Sequence, residues 1–219
     1  MNRMRASVKR EICEIGRRMY DSGFVAANDG NISVRVAEDR ILVTPTMVSK
    51  GFMKPGMIVV VDLAGKVVAG RLFAGQLKPT SELKMHLAVY RAVPELRAVV
   101  HAHPANATGF AVAGLALDRP CMPELVVNLG SVPLAPYATP STEEVPRSIE
   151  GLVAGHGAAL LSNHGVLAWG RTLVEAYGRL ETVELYAKIL IAASAIGEPR
   201  PIPSEKLEAL YRIRKSLGL

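Results

Sequence analysis

Among the five histidines of the chain, two stand two positions apart in Val99-Val100-His101-Ala102-His103-Pro104. The run from Arg97 to His103 reads as a buried strand, and on a strand side chains two apart share a face. His101 and His103 can therefore converge on one ion as a bidentate metal site, although the same letters also describe two polar residues at a strand end. A third histidine, His164, stands in Ser162-Asn163-His164-Gly165, where a strand ends in a glycine turn and a functional group can be held out on a rigid scaffold. Three imidazoles with an open fourth position form the donor set of a catalytic zinc ion. His86 falls inside a helix and His156 between two loop glycines; neither has a partner in its pattern, and both are assigned structural roles.

Two further segments carry groups suited to an anion. Thr80-Ser81-Glu82 opens a helix, where hydroxyls and free backbone N–H groups attract phosphate; the same residues also make an ordinary N-cap with an acid in the first turn. Asn28-Asp29-Gly30-Asn31-Ile32-Ser33 is rich in turn formers and leads into a strand. Its glycine permits close backbone approach to a ligand, or simply a tight turn.

The elements that must position these groups follow from periodicity. Val8, Ile12, Ile15 and Met19 make one helical face between Ser7 and Ser22, stopped by Gly23. Ile32, Val34 and Val36 alternate with polar residues, and the chain returns through Ile41 to Thr44, which predicts a hairpin. Met57–Leu63 and Lys66–Ala69 flank Ala64-Gly65 as a second hairpin. A helix carries Leu83, Leu87 and Tyr90 on one face, and strands are expected at 132–135, at an edge because of Pro133, at 158–162 and at 165–169. A long helix is capped by Thr172 and Glu175, buries Leu173, Ala176, Tyr177, Leu180, Val183, Ala187 and Leu190, and stops at Gly197 and Pro199. This order predicts an α/β fold, a mostly antiparallel sheet flanked by helices.

Composition narrows the class of protein. The 219 residues suit one domain at about 150 residues per domain, expected to span 1–219. Apolar residues at 49% and charged residues at 21% exclude disorder as the main state. No apolar run approaches the roughly 18 residues that cross a bilayer, and the N-terminal segment lacks the pattern of a secretory signal, so a cytoplasmic protein without membrane partners is expected. Cys13 and Cys121 form no paired motif and read as buried thiols. The net charge of +6 is spread along the chain without interleaved aromatics, which argues against nucleic acid and suits an anionic small substrate.

Taken in order, Gly30-Asn31-Ile32-Ser33-Val34-Arg35, Val43-Thr44-Pro45-Thr46, Thr80-Ser81-Glu82, His101-Ala102-His103-Pro104, Ala135-Pro136-Tyr137-Ala138-Thr139 and Asn163-His164-Gly165 resemble the class II aldolase family. That family includes L-fuculose-1-phosphate aldolase, L-ribulose-5-phosphate 4-epimerase, phosphosugar dehydratases and decarboxylases, and the head domain of adducin. The resemblance runs from about Met4 to Gly197. It implies a three-layer α/β/α sandwich, a homotetramer with active sites between subunits, and a divalent ion, zinc or alternatively Mn2+ or Co2+, on His101, His103 and His164. It also implies Glu82 as a resting metal ligand that becomes the catalytic base, and a substrate phosphate wrapped by Asn28, Gly30, Asn31, Thr46, Met47, Thr80 and Ser81.

The implied activity is retro-aldol cleavage of a ketose 1-phosphate to dihydroxyacetone phosphate and a short aldehyde through an enediolate, which requires a Lewis acid and a proton-moving carboxylate. Dehydratase, decarboxylase and 4-epimerase chemistry are the alternatives on the same site, whereas a non-enzymatic adducin-like module would not need the histidines and the glutamate together. Where fuculose phosphate aldolases carry tyrosines, this chain has none between Pro104 and Pro136 and ends Lys215-Ser216-Leu217-Gly218-Leu219. Met47 replaces a glycine in the phosphate loop, with Lys50 nearby to supply charge. These departures favour a smaller or more apolar aldehyde, and 5-deoxyribulose 1-phosphate is one candidate substrate.

Overall fold

The computed structural model describes residues 2–69 and 77–219. Its first helix, α1 (Asn2–Asp21), starts earlier than the apolar spacing predicts, because the polar turn before Ser7 continues the helical backbone. Ile12, Ile15 and Met19 are buried as expected. Gly23 ends the helix with φ +70, which only glycine adopts freely, and the Phe24 N–H returns to Met19 O.

Strands β1 (Asn31–Ala37), β2 (Arg40–Val43), β3 (Val59–Val61) and β4 (Val67–Ala69) form the two predicted hairpins, with Met57 left in a short turn before β3. Helix α2 (Leu83–Ala92) precedes the central strand β5 (Ala98–Ala102). Helices α3 (Ala105–Val112) and α4 (Pro123–Asn128), strand β6 (Leu134–Ala135) and helix α5 (Glu144–Ser148) follow. The chain is completed by β7 (Ala158–Leu161), β8 (Gly165–Gly170), α6 (Leu173–Ile196) and α7 (Ser204–Ser216). The sheet runs β4-β3-β2-β1-β5-β8-β7-β6. Its described pairs are antiparallel except β6 with β7, and β6 lies at the edge where its proline predicted it.

Alternation along the strands divides the core in two. Ile32, Val34, Ala98, Val100 and Ala102 pack with α1, α3, α4 and α6 on one face. Val99, Leu167 and Trp169 pack with α2 and α5 on the other, so the architecture is the three-layer α/β/α sandwich. All seven residues predicted for the inner face of α6 are buried. Thr172 Oγ1 accepts from the Glu175 N–H at 3.1 Å, but Glu175 returns to the Arg171 N–H at 2.7 Å, one residue earlier than a capping box requires.

Helices α3, α4, α5 and α7 were not expected. The first three span 8, 6 and 5 residues, too short to display an amphipathic period, and α7 buries no residue fully. Cys13 is buried, but Cys121 is only half-buried, a correction to its reading as a core thiol, because it follows the Pro120 turn at the rim of the α6 core. Among the described residues no helix is long and apolar enough to cross a membrane.

Two glycines separate close approach from mere tolerance. A Cβ on Gly165 would lie 2.5 Å from Ala102 O and 2.6 Å from the His103 ring, whereas one on Gly178, inside α6, would meet nothing within 4 Å. Gly165→Ala should therefore destabilise the fold by about 1–3 kcal/mol through overpacking. Gly178→Ala should stabilise it by about 0.5–1 kcal/mol through helix propensity. Thermal or urea denaturation of the two variants checks both signs.

Candidate active site

Strand β5 lies between β1 and β8, with His101 opposite Asn31 on one side and Leu167 on the other. That pairing buries the His101 ring completely and presents Val166 O to its Nδ1–H at 2.9 Å. A neutral imidazole has one N–H, so Nε2 is left with its lone pair. His103 stands just past the strand, tied by its backbone N–H to Phe24 O at 2.9 Å. Its Nδ1 faces Asp29 Oδ2 at 3.6 Å, while its Nε2 lies 3.1 Å from His101 Nε2. His164 comes from the β7–β8 turn, which Asn163 closes in the left-handed region at φ +56. One donor atom from each of the three rings lies within 4.8 Å of the others.

Glu82, immediately before α2, reaches into this cluster. Its Oε2 accepts from Asn31 Nδ2–H at 2.9 Å and lies 3.3 Å from His101 Nε2. Its Oε1 lies 3.3 Å from His164 Nε2 and is buried without a hydrogen-bond partner among the described residues. Burial, reinforced by His103 and His164, holds His101 well below the usual imidazole range. Burial also lowers His164, against the pull of Glu82. Lone pairs and carboxylate oxygens thus face one another at about van der Waals distance with no proton between Glu82 and His101. A divalent cation relieves that repulsion, so the donor set fits a metal.

Beside the cluster is a cavity of about 120 Å3. It is lined by Asn28, Gly30, Asn31, Thr46, Met47, Thr80 and Ser81, with Asp29, Pro45, Lys50, Glu82 and His103. Three segments meet there because Thr80 N–H donates to Thr44 O, Thr46 N–H to Lys78 O, and the Ile32 N–H to Thr44 Oγ1. Lys50, 1% exposed, donates to Asn28 O at 2.9 Å and Val48 O at 2.6 Å. Burial pulls its pKa down to about 8, opposed by Asp29, so the cavity keeps a cation at neutral pH. Met47 adopts φ +59, preserving a backbone turn that a glycine would take without the roughly 1–2 kcal/mol cost of a side chain there. A Cβ on Gly30 would strike His101 O at 2.8 Å, so this glycine serves the packing of the loop against β5.

Every residue singled out for metal or phosphate is therefore in one place, 101, 103, 164 and 82 on one side and the three loop segments on the other. The structure does correct the reading of His86 as lacking a partner: it is fully buried and bonded to Ser33 and Asn31. The signal available was Glu82, His86 and Tyr90 at four-residue spacing. Asp29 was also missed as a partner for His103. The His156 ring bonds the local carbonyl Leu152 O and its own carbonyl accepts from Trp169 Nε1–H, away from the cluster. A larger cavity of about 360 Å3 lies at the opposite end of β5 and β8, lined by Arg171, Arg179 and Arg214 but without a histidine cluster.

Comparison with known proteins gives the family and the fold. Residues 10–191 match the family described as Class II Aldolase and Adducin N-terminal domain. The chain is 32% identical over 213 residues to 5-deoxy-D-ribulose 1-phosphate aldolase of Bacillus thuringiensis serovar kurstaki, covering 96% of each protein. It is also 32% identical over 188 residues to 3-oxo-tetronate 4-phosphate decarboxylase of Escherichia coli, covering 84% of this chain and 86% of that one. A solved L-fuculose 1-phosphate aldolase superposes with a TM-score of 0.86 at 31% identity, covering 97% of both chains.

The donor set predicts about one divalent ion per subunit, bound by three imidazoles. Elemental analysis of His101→Ala, His103→Ala and His164→Ala should each show the ion lost, while His156→Ala keeps it. A metal-free wild-type protein with full activity would contradict the assignment.

Proposed function

The chain belongs to the class II aldolase family, and we propose that it is a zinc-dependent aldolase cleaving a ketose 1-phosphate to dihydroxyacetone phosphate and a short aldehyde. The observation that carries this reading is the position of Glu82, one side against the imidazole cluster and the other lining the cation-bearing cavity. A proton-moving carboxylate, a metal donor set and an anion cradle then lie within reach of one small molecule.

The phosphate enters the cavity between the three segments. Thr80 Oγ1 already accepts the Glu82 N–H at 3.3 Å, which leaves its own hydroxyl proton to donate. Ser81 and Thr46 offer further hydroxyls, and Lys50 supplies charge through the loop carbonyls that it clamps. Bound by His101, His103 and His164, a divalent ion would supply Lewis acidity to a substrate carbonyl oxygen. Glu82 moves the proton: it takes one from the hydroxymethylene carbon of dihydroxyacetone phosphate in the synthetic direction and returns it during cleavage. Asn31 holds Oε2 while Oε1 is left unengaged for that transfer.

The absence of tyrosine between Pro104 and Pro136 supports an aldehyde side more apolar than in fuculose phosphate aldolases. Together with the Bacillus relative, that supports a 5-deoxypentulose 1-phosphate as substrate. Exposed Met47, on the cavity wall, is apolar surface for a neighbouring subunit to cover, in keeping with a homotetramer with intersubunit sites. Decarboxylation of a phosphorylated 3-oxo acid is the second reading, favoured by the Escherichia coli relative.

Wild-type protein with dihydroxyacetone phosphate alone should exchange the hydroxymethylene proton for deuterium, followed by proton NMR, and absence of exchange moves the assignment to dehydratase or decarboxylase. Glu82→Gln keeps the size of the side chain but cannot take the proton, so exchange should fall by about a hundredfold to ten-thousandfold. Ser81→Ala should raise KM for the phosphorylated ketose with metal content unchanged, and equal turnover of the unphosphorylated sugar would refute the phosphate cradle.

A further inference from the structure

Glu82, His86 and Tyr90 recur every four residues, which aligns them along one side of α2 and the turn before it. Asn31 and Ser33 recur every two, on the face of β1 that α2 covers. The two rows interdigitate. Glu82 Oε2 meets Asn31 Nδ2 at 2.9 Å, Asn31 Oδ1 meets His86 Nε2 at 2.5 Å, His86 Nδ1 meets Ser33 Oγ at 2.7 Å, and Ser33 Oγ meets Tyr90 Oη at 2.7 Å. Asn31, Ser33, His86 and Tyr90 are each at most 3% exposed.

Every proton in this chain is determined by the one before it. A carboxylate only accepts, so Asn31 must donate its amide N–H to Glu82 and turn its carbonyl to His86. His86 must then donate from Nε2. Burial pushes its pKa down to about 3, so the ring is neutral and its Nδ1 accepts. Ser33 spends its only proton on Nδ1, so across 2.7 Å its oxygen accepts from Tyr90, whose other acceptor, Arg97 O, is farther at 3.5 Å. An apolar core of the same shape could be about as stable as four satisfied polar side chains, so stability alone does not call for this arrangement. What it does specify is the orientation of one amide.

We propose that Asn31, His86, Ser33 and Tyr90 are positioning residues for Glu82, a directional chain that holds Oε2 and leaves Oε1 as the oxygen that exchanges protons. This rests on the reading of Glu82 as the base, and it gives Asn31 a task beyond lining the phosphate cavity. Both polar atoms of its side chain are engaged in the chain.

The test joins a spectroscopic readout to kinetics. In 15N-histidine protein, metal-free and zinc-loaded, His86 should be the neutral Nε2–H tautomer, its signals identified by their loss in His86→Gln. Glu82→Ala, which frees the Asn31 amide, should shift the His86 nitrogens although no hydrogen bond joins the two side chains among the described residues. Ser33→Ala and Tyr90→Phe, which each leave a buried polar group unpaired, should melt a few degrees lower but keep the wild-type zinc content and KM for dihydroxyacetone phosphate, and lose about tenfold in the kcat of deuterium exchange, the lower range for removal of an outer partner. His86→Gln, which retains an N–H for Asn31, should exchange faster than His86→Leu. An Nδ1–H or cationic His86, unmoved resonances in Glu82→Ala, or wild-type kcat in both Ser33→Ala and Tyr90→Phe overturns the proposal. A wild type without exchange removes the aldolase reading, and the two spectroscopic outcomes then decide the chain.

Discussion

A carboxylate buried against neutral imidazoles is an arrangement that repels itself, and most of the surrounding structure holds it in place. The pairing of β5 with β8 does this first. It carries Val166 O to the proton of His101 Nδ1, which turns the remaining lone pair inward, and it brings the bare backbone of Gly165 against Ala102, which lets His164 follow directly from the turn. Without that hydrogen bond the His101 ring could present either nitrogen, and the cluster would lose its common focus.

The anion cavity rests on a different constraint. Its three segments are separate in sequence and meet mostly through loop backbone, the start of β1 at Asn31 being the exception. They meet because backbone groups of Thr44, Thr46, Lys78 and Thr80 satisfy one another, and because the buried Lys50 ammonium binds carbonyls from two of them. Lys50 thereby meets two needs, satisfying buried backbone oxygens and placing positive charge beneath the cavity. Glu82 belongs to both halves, which is why a single side chain can connect binding with proton transfer.

Size alone does not identify the site. Of the arginines lining the larger cavity between the start of β5 and the end of β8, Arg179 is already engaged with Glu175 and Trp169 O, and Arg214 with Val127 O. The smaller cavity is where an unpaired buried carboxylate oxygen, the imidazole cluster and a cation coincide. Relatives with aldolase and decarboxylase names match the chain at equal identity, as expected if the metal and phosphate ends are common and the aldehyde end differs.

Strict local period made much of this protein readable from sequence. The hairpins, the buried face of α6 and the edge placement of β6 follow from alternation, helical spacing and a proline, each of which acts over a few residues. His101 and His103 could be paired from their spacing alone, and the metal and phosphate segments from their resemblance to a family. Short helices such as α4 and α5 have no period to detect, and His86 looked solitary because its partners Asn31 and Ser33 lie 55 and 53 residues away. Which nitrogen of His101 keeps its lone pair, which oxygen of Glu82 stands free and which way the Asn31 amide faces were decided only by the packing of α2 on β1 and of β8 on β5. Hydrogen-bond direction depends on what lies across the interface, and that neighbour is chosen by the tertiary fold.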